Sequence, residues 1–168
     1  MLSKTIQKFL DTNKIKYEII EHKTVYTAFD KASTLHVKPQ EVGKTVIVSL
    51  DGKNYAIGLI PANKNLDKKK VLAVFNKLRA KNKEKNYKKI DFATEKWLKE
   101  NIKGIKLGAT PPLASLYKLP FFIDNILTKS ARIIINGGAH EVSLRLSPAS
   151  LIKLNLGTLK SSFSMAKK

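Results

Sequence analysis

The sequence contains no cysteine. That absence excludes a disulfide framework, a thiolate zinc site, an iron–sulfur cluster and a cysteine nucleophile. Arginine is scarce: Arg79, Arg132 and Arg145 are the only arginines among 32 basic residues, and the rest are lysine. A protein that reads base edges in a DNA groove more often presents arginine forks. Acidic side chains number 13, which leaves a formal charge of +19. Apolar runs such as Thr45 to Leu50 or Ile133 to Ile135 fall far short of the ~20 residues that a membrane span needs. The opening segment, MLSKTIQKFLDTNK, mixes charge and apolar residues at helical spacing and lacks a signal-peptide core. A cytoplasmic protein with no membrane partner is expected.

What is present is ordinary globular composition, 43% hydrophobic and 27% charged over 168 residues. The expected organisation is one domain over residues 1–155 followed by a basic, frayed tail over 156–168. The positive charge favours polyanionic partners, nucleic acid first, because each neutralised phosphate releases a counterion. Lysines scattered this evenly also fit a general compositional bias, so charge alone identifies no function.

Helix signals recur along the chain. Ser3 caps a helix to Asn13 with Ile6, Phe9 and Leu10 on one face, and Thr27 caps a second with Phe29, Ala32 and Leu35 facing inward. Asp67 opens a third carrying Val71, Leu72, Phe75 and Leu78, and shorter ones fall around Trp97 and over Pro148 to Leu154. Strands are expected at Tyr17–His22, Lys44–Leu50, Lys53–Ile60, Phe121–Asp124, Ala131–Asn136 and Glu141–Leu146. Asp51-Gly52 is a strong hairpin turn, and Gly137-Gly138 reads as another. The lysine-rich stretch from Lys77 to Lys89 reads as an exposed connection. Helices and antiparallel strands mixed in this way define an α+β class.

Several chemistries fail on spacing. Gly43-Lys44-Thr45 lacks the upstream glycine of a phosphate loop, since position 38 is lysine, and a β-branched strand follows where that loop needs a helix. His22, His36 and His140 lie far apart and show no metal-ligand spacing, so no metal or other cofactor is expected. What remains is Lys44 at the head of a strand and the loop Gly108-Ala109-Thr110-Pro111-Pro112. Its first three residues keep backbone N–H groups, while the prolines stiffen it. Such a loop can offer donors to a carbonyl oxygen, as an oxyanion hole does. From the residues alone, a plain Pro-rich connection is the simpler reading.

An ordered set of segments then carries a likeness. It comprises His22-Lys-Thr-Val-Tyr26-Thr27-Ala28, Glu41-Val-Gly-Lys44-Thr45-Val46, Leu59-Ile-Pro-Ala-Asn63 with Leu66-Asp67, Gly108 to Pro112, Asp124, and Asn136-Gly137-Gly138. This set resembles the YbaK/prolyl-tRNA-synthetase-associated family of aminoacyl-tRNA editing domains. The resemblance implies a mixed, barrel-like β-sheet with flanking helices. It also implies metal-independent hydrolysis of the ester joining a wrong small amino acid, alanine or cysteine, to tRNA. By the same resemblance Lys44, Gly108, Ala109 and Thr110 are catalytic. His22, Tyr26, Thr27, Thr45, Pro112, Asp124, Asn136, Gly137 and Gly138 bind substrate. The implied partners are the acceptor end of an aminoacyl-tRNA and a synthetase. The chain departs from one branch at Ile20-Glu21-His22, where a tyrosine is usual, and at Ser143, where an acidic residue can stand. Lys44 is expected to hold a phosphate or to polarise the scissile carbonyl. Use as a general base would require lowering its pKa by roughly 3 units, about 4 kcal/mol. A non-catalytic RNA-binding member of the same fold is the alternative.

Overall fold

The caps read from the sequence start the helices in the computed structural model, which describes residues 1–167. Ser3 accepts from the Ile6 amide at the head of α1 (Lys4–Thr12), and Thr27 accepts from the Asp30 amide at the head of α2 (Ala28–Thr34). Between them lies β1 (Glu18–Glu21). β2 (Gly43–Leu50) and β3 (Asn54–Pro61) form the expected hairpin. Asp51 and Gly52 both take positive φ, 55° and 64°, the geometry that matches the twist of paired strands. A short β4 (Lys64–Leu66) leads into α3 (Lys68–Lys81), capped by Asp67. β5 (Ile90–Phe92), α4 (Glu95–Asn101) and β6 (Phe121–Asp124) follow. β7 (Ile133–Ala139), β8 (Val142–Leu146), α5 (Pro148–Leu154), β9 (Leu159–Ser161) and β10 (Ser164–Ala166) complete the order.

The class is α+β, with the strands divided over three sheets. Five strands lie in the order β5-β2-β3-β6-β9, three in the order β1-β8-β7, and β4 pairs with β10. The expected barrel does not close among the described residues. The two larger sheets meet through a single parallel bridge, Val42 to Ile134, with no continuous ladder.

Period-two alternation in β3 and β6 explains the layering. Ile57, Leu59, Phe121 and Ile123 face the β1-β8-β7 sheet together with Ile6 and Leu10 of α1 and Leu151 of α5. Ala56, Ile60 and Phe122 face the other way, onto Val71 and Phe75 of α3 and onto Phe163. Gly58 sits beneath the Phe122 ring, where an added Cβ would lie 2.1 Å from ring carbons. A smaller third cluster packs Ala28 and Ala32 against Val42, Ala62 and Ile134. No helix among the described residues is long and apolar enough to cross a membrane.

Four expectations change. The inner face of α2 is Ala28, Lys31 and Ala32, while Phe29 is exposed, because the helix docks through its small residues. The lysine-rich stretch begins as the end of α3, and directly after it comes an unexpected β5, whose three residues pair with Val48 to Leu50. Gly137 and Gly138 lie inside β7 at a register shift, and the chain turns at His140-Glu141 instead. The segment expected to fray forms β9 and β10, held by the fully buried Phe163. Lys168, its last residue, lies outside the described residues.

Candidate active site

Four pieces of chain converge on one cavity of about 250 Å³. The approach to α2 supplies Val25 to Ala28, and the helix itself supplies Lys31. The start of β2 contributes Lys44 and Thr45, the proline-stiffened loop contributes Gly108 and Ala109, and the end of β7 contributes Asn136, Ala139 and the adjoining His140. No Asp or Glu lines this space. Two ammonium groups therefore set its potential.

Lys44 is half-buried and donates to the Lys64 carbonyl at 2.6 Å, which pins the side chain while leaving two N–H groups. Burial lowers its pKa, and the charge of Lys167 lowers it further. Lys31 is only 4% exposed and donates to Asn136 Oδ1 at 2.6 Å. Desolvation brings its pKa down to about 8. The other end of the Asn136 amide donates to the Thr110 carbonyl at 3.3 Å, so one side chain links the buried cation to the loop.

The loop is held from beneath. Gly138 donates to the Ala109 carbonyl, and Lys106 donates to the Gly138 carbonyl, each at 3.0 Å. Ala109's own N–H is taken by Lys106 O at 2.9 Å, so it is not available to a ligand. Among the described residues the amides of Gly108 and Thr110 have no hydrogen-bond partner. Gly108 has φ +85°, a left-handed conformation that glycine adopts without strain. A cation, an unengaged amide and a bridging carboxamide around one small space can polarise a carbonyl oxygen and stabilise negative charge on it.

The other expected residues separate into two groups. Tyr26, Thr27, Thr45 and Asn136 line the cavity with Lys44, Gly108 and Ala109. Tyr26 tilts against His140 with ring centroids 4.8 Å apart. Thr110, in the same loop, is buried and does not line the cavity. His22, Pro112, Asp124, Gly137 and Gly138 do not line the cavity. His22 donates from Nδ1 to the Lys23 carbonyl, and that tautomer lets Nε2 accept from Ser143 Oγ at 2.8 Å. The Pro112 carbonyl receives Asn155 Nδ2 at 3.2 Å. Asp124 accepts from the amides of Ile126 and Phe163 and from Ser164 Oγ, a clasp on the C-terminal strands. Gly137 packs against the Val142 backbone.

Lys31 and His140 line the cavity without having been singled out from the sequence as site residues. Helical spacing puts Lys31 on one face with Ala28 and Ala32, but which face docks is settled outside the helix. A wider groove of about 850 Å³ shares Lys44 and Thr45 and continues along Leu66 to Lys69, with Phe92 and Met165.

With this geometry in place, the comparison with known families is decisive: the aminoacyl-tRNA editing domain family matches residues 22–154. The chain belongs to that family. Solved structures agree on the fold of this editing domain. The hypothetical protein APE2540 superposes with a TM-score of 0.78 at 19% identity, covering 96% of this chain and 100% of its own. A protein described as a candidate trans-editing enzyme for prolyl tRNA synthetase gives 0.71 at 19% identity, covering 99% and 100%. A scaffold from computational epitope backbone grafting gives 0.75 at 19%, again covering 99% and 100%. No curated protein matches the sequence significantly.

Proposed function

We propose that this editing domain is a trans-acting aminoacyl-tRNA deacylase of the YbaK/prolyl-tRNA editing type, working in the cytoplasm. In this reading it hydrolyses the ester of a small amino acid, alanine or cysteine, mischarged on tRNA. The observation that supports it is the shared cavity of Lys44 and Gly108, a fixed cation beside an unengaged amide. An aminoacyl ester is already activated, so positioning of water and stabilisation of the oxyanion suffice. The Gly108 amide holds the developing oxyanion, and the Lys44 ammonium adds positive charge to the carbonyl or to the neighbouring phosphate. Water attacks the carbonyl carbon, and the ribose oxygen leaves with a proton. At ~30 Å³ per water the cavity holds the equivalent of about eight waters, enough for an aminoacyl group.

The wider groove beyond Lys44 takes the terminal nucleotides. The exposed Phe92 offers a face for a base, and Lys68 and Lys69 reach phosphates. A synthetase supplies the mischarged substrate and is the natural second partner. Editing is useful because one methylene discriminates only about 10–200-fold at a synthetic site.

The test is a deacylation panel of tRNAs mischarged with Ala, Cys, Ser and Thr, run beside Lys44→Ala. Release of a small amino acid by the wild type and its loss in the variant supports the reading. Tight tRNA binding without release from any substrate assigns the domain instead to non-catalytic binding, for which a charge of +19 suffices.

A further inference from the structure

The Lys31 ammonium is buried in the wall of the cavity and meets one acceptor, Asn136 Oδ1, at 2.6 Å. An ammonium has three N–H groups. Two of them therefore lack a partner among the described residues, and no carboxylate lines the space to compensate the charge. A buried donor without an acceptor is costly, and for a charged donor more so. A ligand that brings an acceptor to this wall relieves the cost, whereas one that brings only a methyl group leaves it standing. The carbonyl-polarising groups, Lys44 and Gly108, occupy the same cavity. A scissile carbonyl placed on them leaves the amino-acid side chain to meet the remaining wall.

We infer that Lys31, with Asn136, is a specificity-determining pair that selects small amino acids bearing an acceptor atom, a thiol or a hydroxyl, over alanine. The inference rests on the deacylase reading for the identity of the ligand. A cysteine side chain suits the pair doubly, since a neighbouring cation favours its thiolate. The Asn136 bridge to the Thr110 carbonyl gives the selected side chain a route to the loop, because engaging Lys31 also fixes Asn136. A purely structural role for Lys31 would instead scale all substrates alike.

The experiment measures binding of non-hydrolysable 3′-aminoacylamino adenosines carrying seryl, cysteinyl or 2-aminobutyryl groups. The last matches the others in size and lacks the acceptor. Wild-type protein is compared with Lys31→Met, which keeps the side-chain length and removes the charge. The expected result is a preference of about 10- to 100-fold for seryl and cysteinyl over 2-aminobutyryl in the wild type. In Lys31→Met that ratio falls to within about twofold. Equal binding of all three by the wild type, an unchanged ratio in Lys31→Met, or no binding at all overturns the inference. Because binding needs no turnover, a preserved preference with no deacylation would defeat the hydrolase reading and leave the selectivity of Lys31 standing.

Discussion

Lys31 and Lys44 are two lysines of the same cavity in different electrostatic states. Lys44 is half-buried and anchored on a backbone carbonyl, while Lys31 is almost wholly removed from water. For Lys31 the folded pKa of about 8 lies below the value near 10.5 of an unfolded chain. The unfolded state therefore binds more protons between these values, and stability rises with pH there. The penalty is fully present below pH 8 and is relieved as pH climbs toward 10.5. Relative to Lys31→Met, wild-type protein should gain roughly 2 kcal/mol between pH 7.5 and 9.5, at 1.36 kcal/mol per pKa unit. Urea unfolding of both proteins at the two pH values checks this, and parallel stabilities would remove the buried charge. Lys44→Ala should lower kcat/KM for deacylation by about 100-fold or more, with Lys44→Arg above it if charge is what matters. Substantial activity in both variants takes Lys44 out of the mechanism.

At the scale of elements, the loop and the C-terminal strands owe their places to polar contacts and close packing. Asp124 alone gathers two amides and one hydroxyl from the chain beyond β6. Asp124→Ala leaves buried donors unpaired and should cost about 2–4 kcal/mol. Faster amide exchange in β9 and β10 would accompany it if the clasp is what holds them. Gly58→Ala forces a methyl group toward the Phe122 ring, which already packs on Phe75 and Phe163. Overpacking of this kind costs about 1–3 kcal/mol, read as a lower urea midpoint at unchanged slope. Neither effect should alter which amino acid is preferred, since neither side chain lines the cavity.

For the whole molecule, the charge of +19 sets how the domain meets tRNA. With Z phosphate contacts to single-stranded ends, log affinity should fall against log salt with slope about −0.7Z. Raising salt should therefore raise KM for tRNA while the ratio between amino acids stays constant, and a salt-independent KM would deny the lysines that role. The caps at Ser3, Thr27 and Asp67, the Asp51-Gly52 hairpin and the alternation that sorts Ile57 and Leu59 from Ala56 and Ile60 all follow from the order of residues along the chain. Each is a local rule acting over a few residues, and the ordered motifs that placed the chain in its family are equally local. Long-range packing is what turns Lys31 inward and Phe29 out, joins Asn136 to both Lys31 and the Gly108 loop, and sets Asp124 against the C-terminal strands. Those outcomes depend on partners 26 to 105 residues away, and no spacing rule reaches so far. Burial of a charge is settled by what closes over it, and for Lys31 that includes Asn136 of β7.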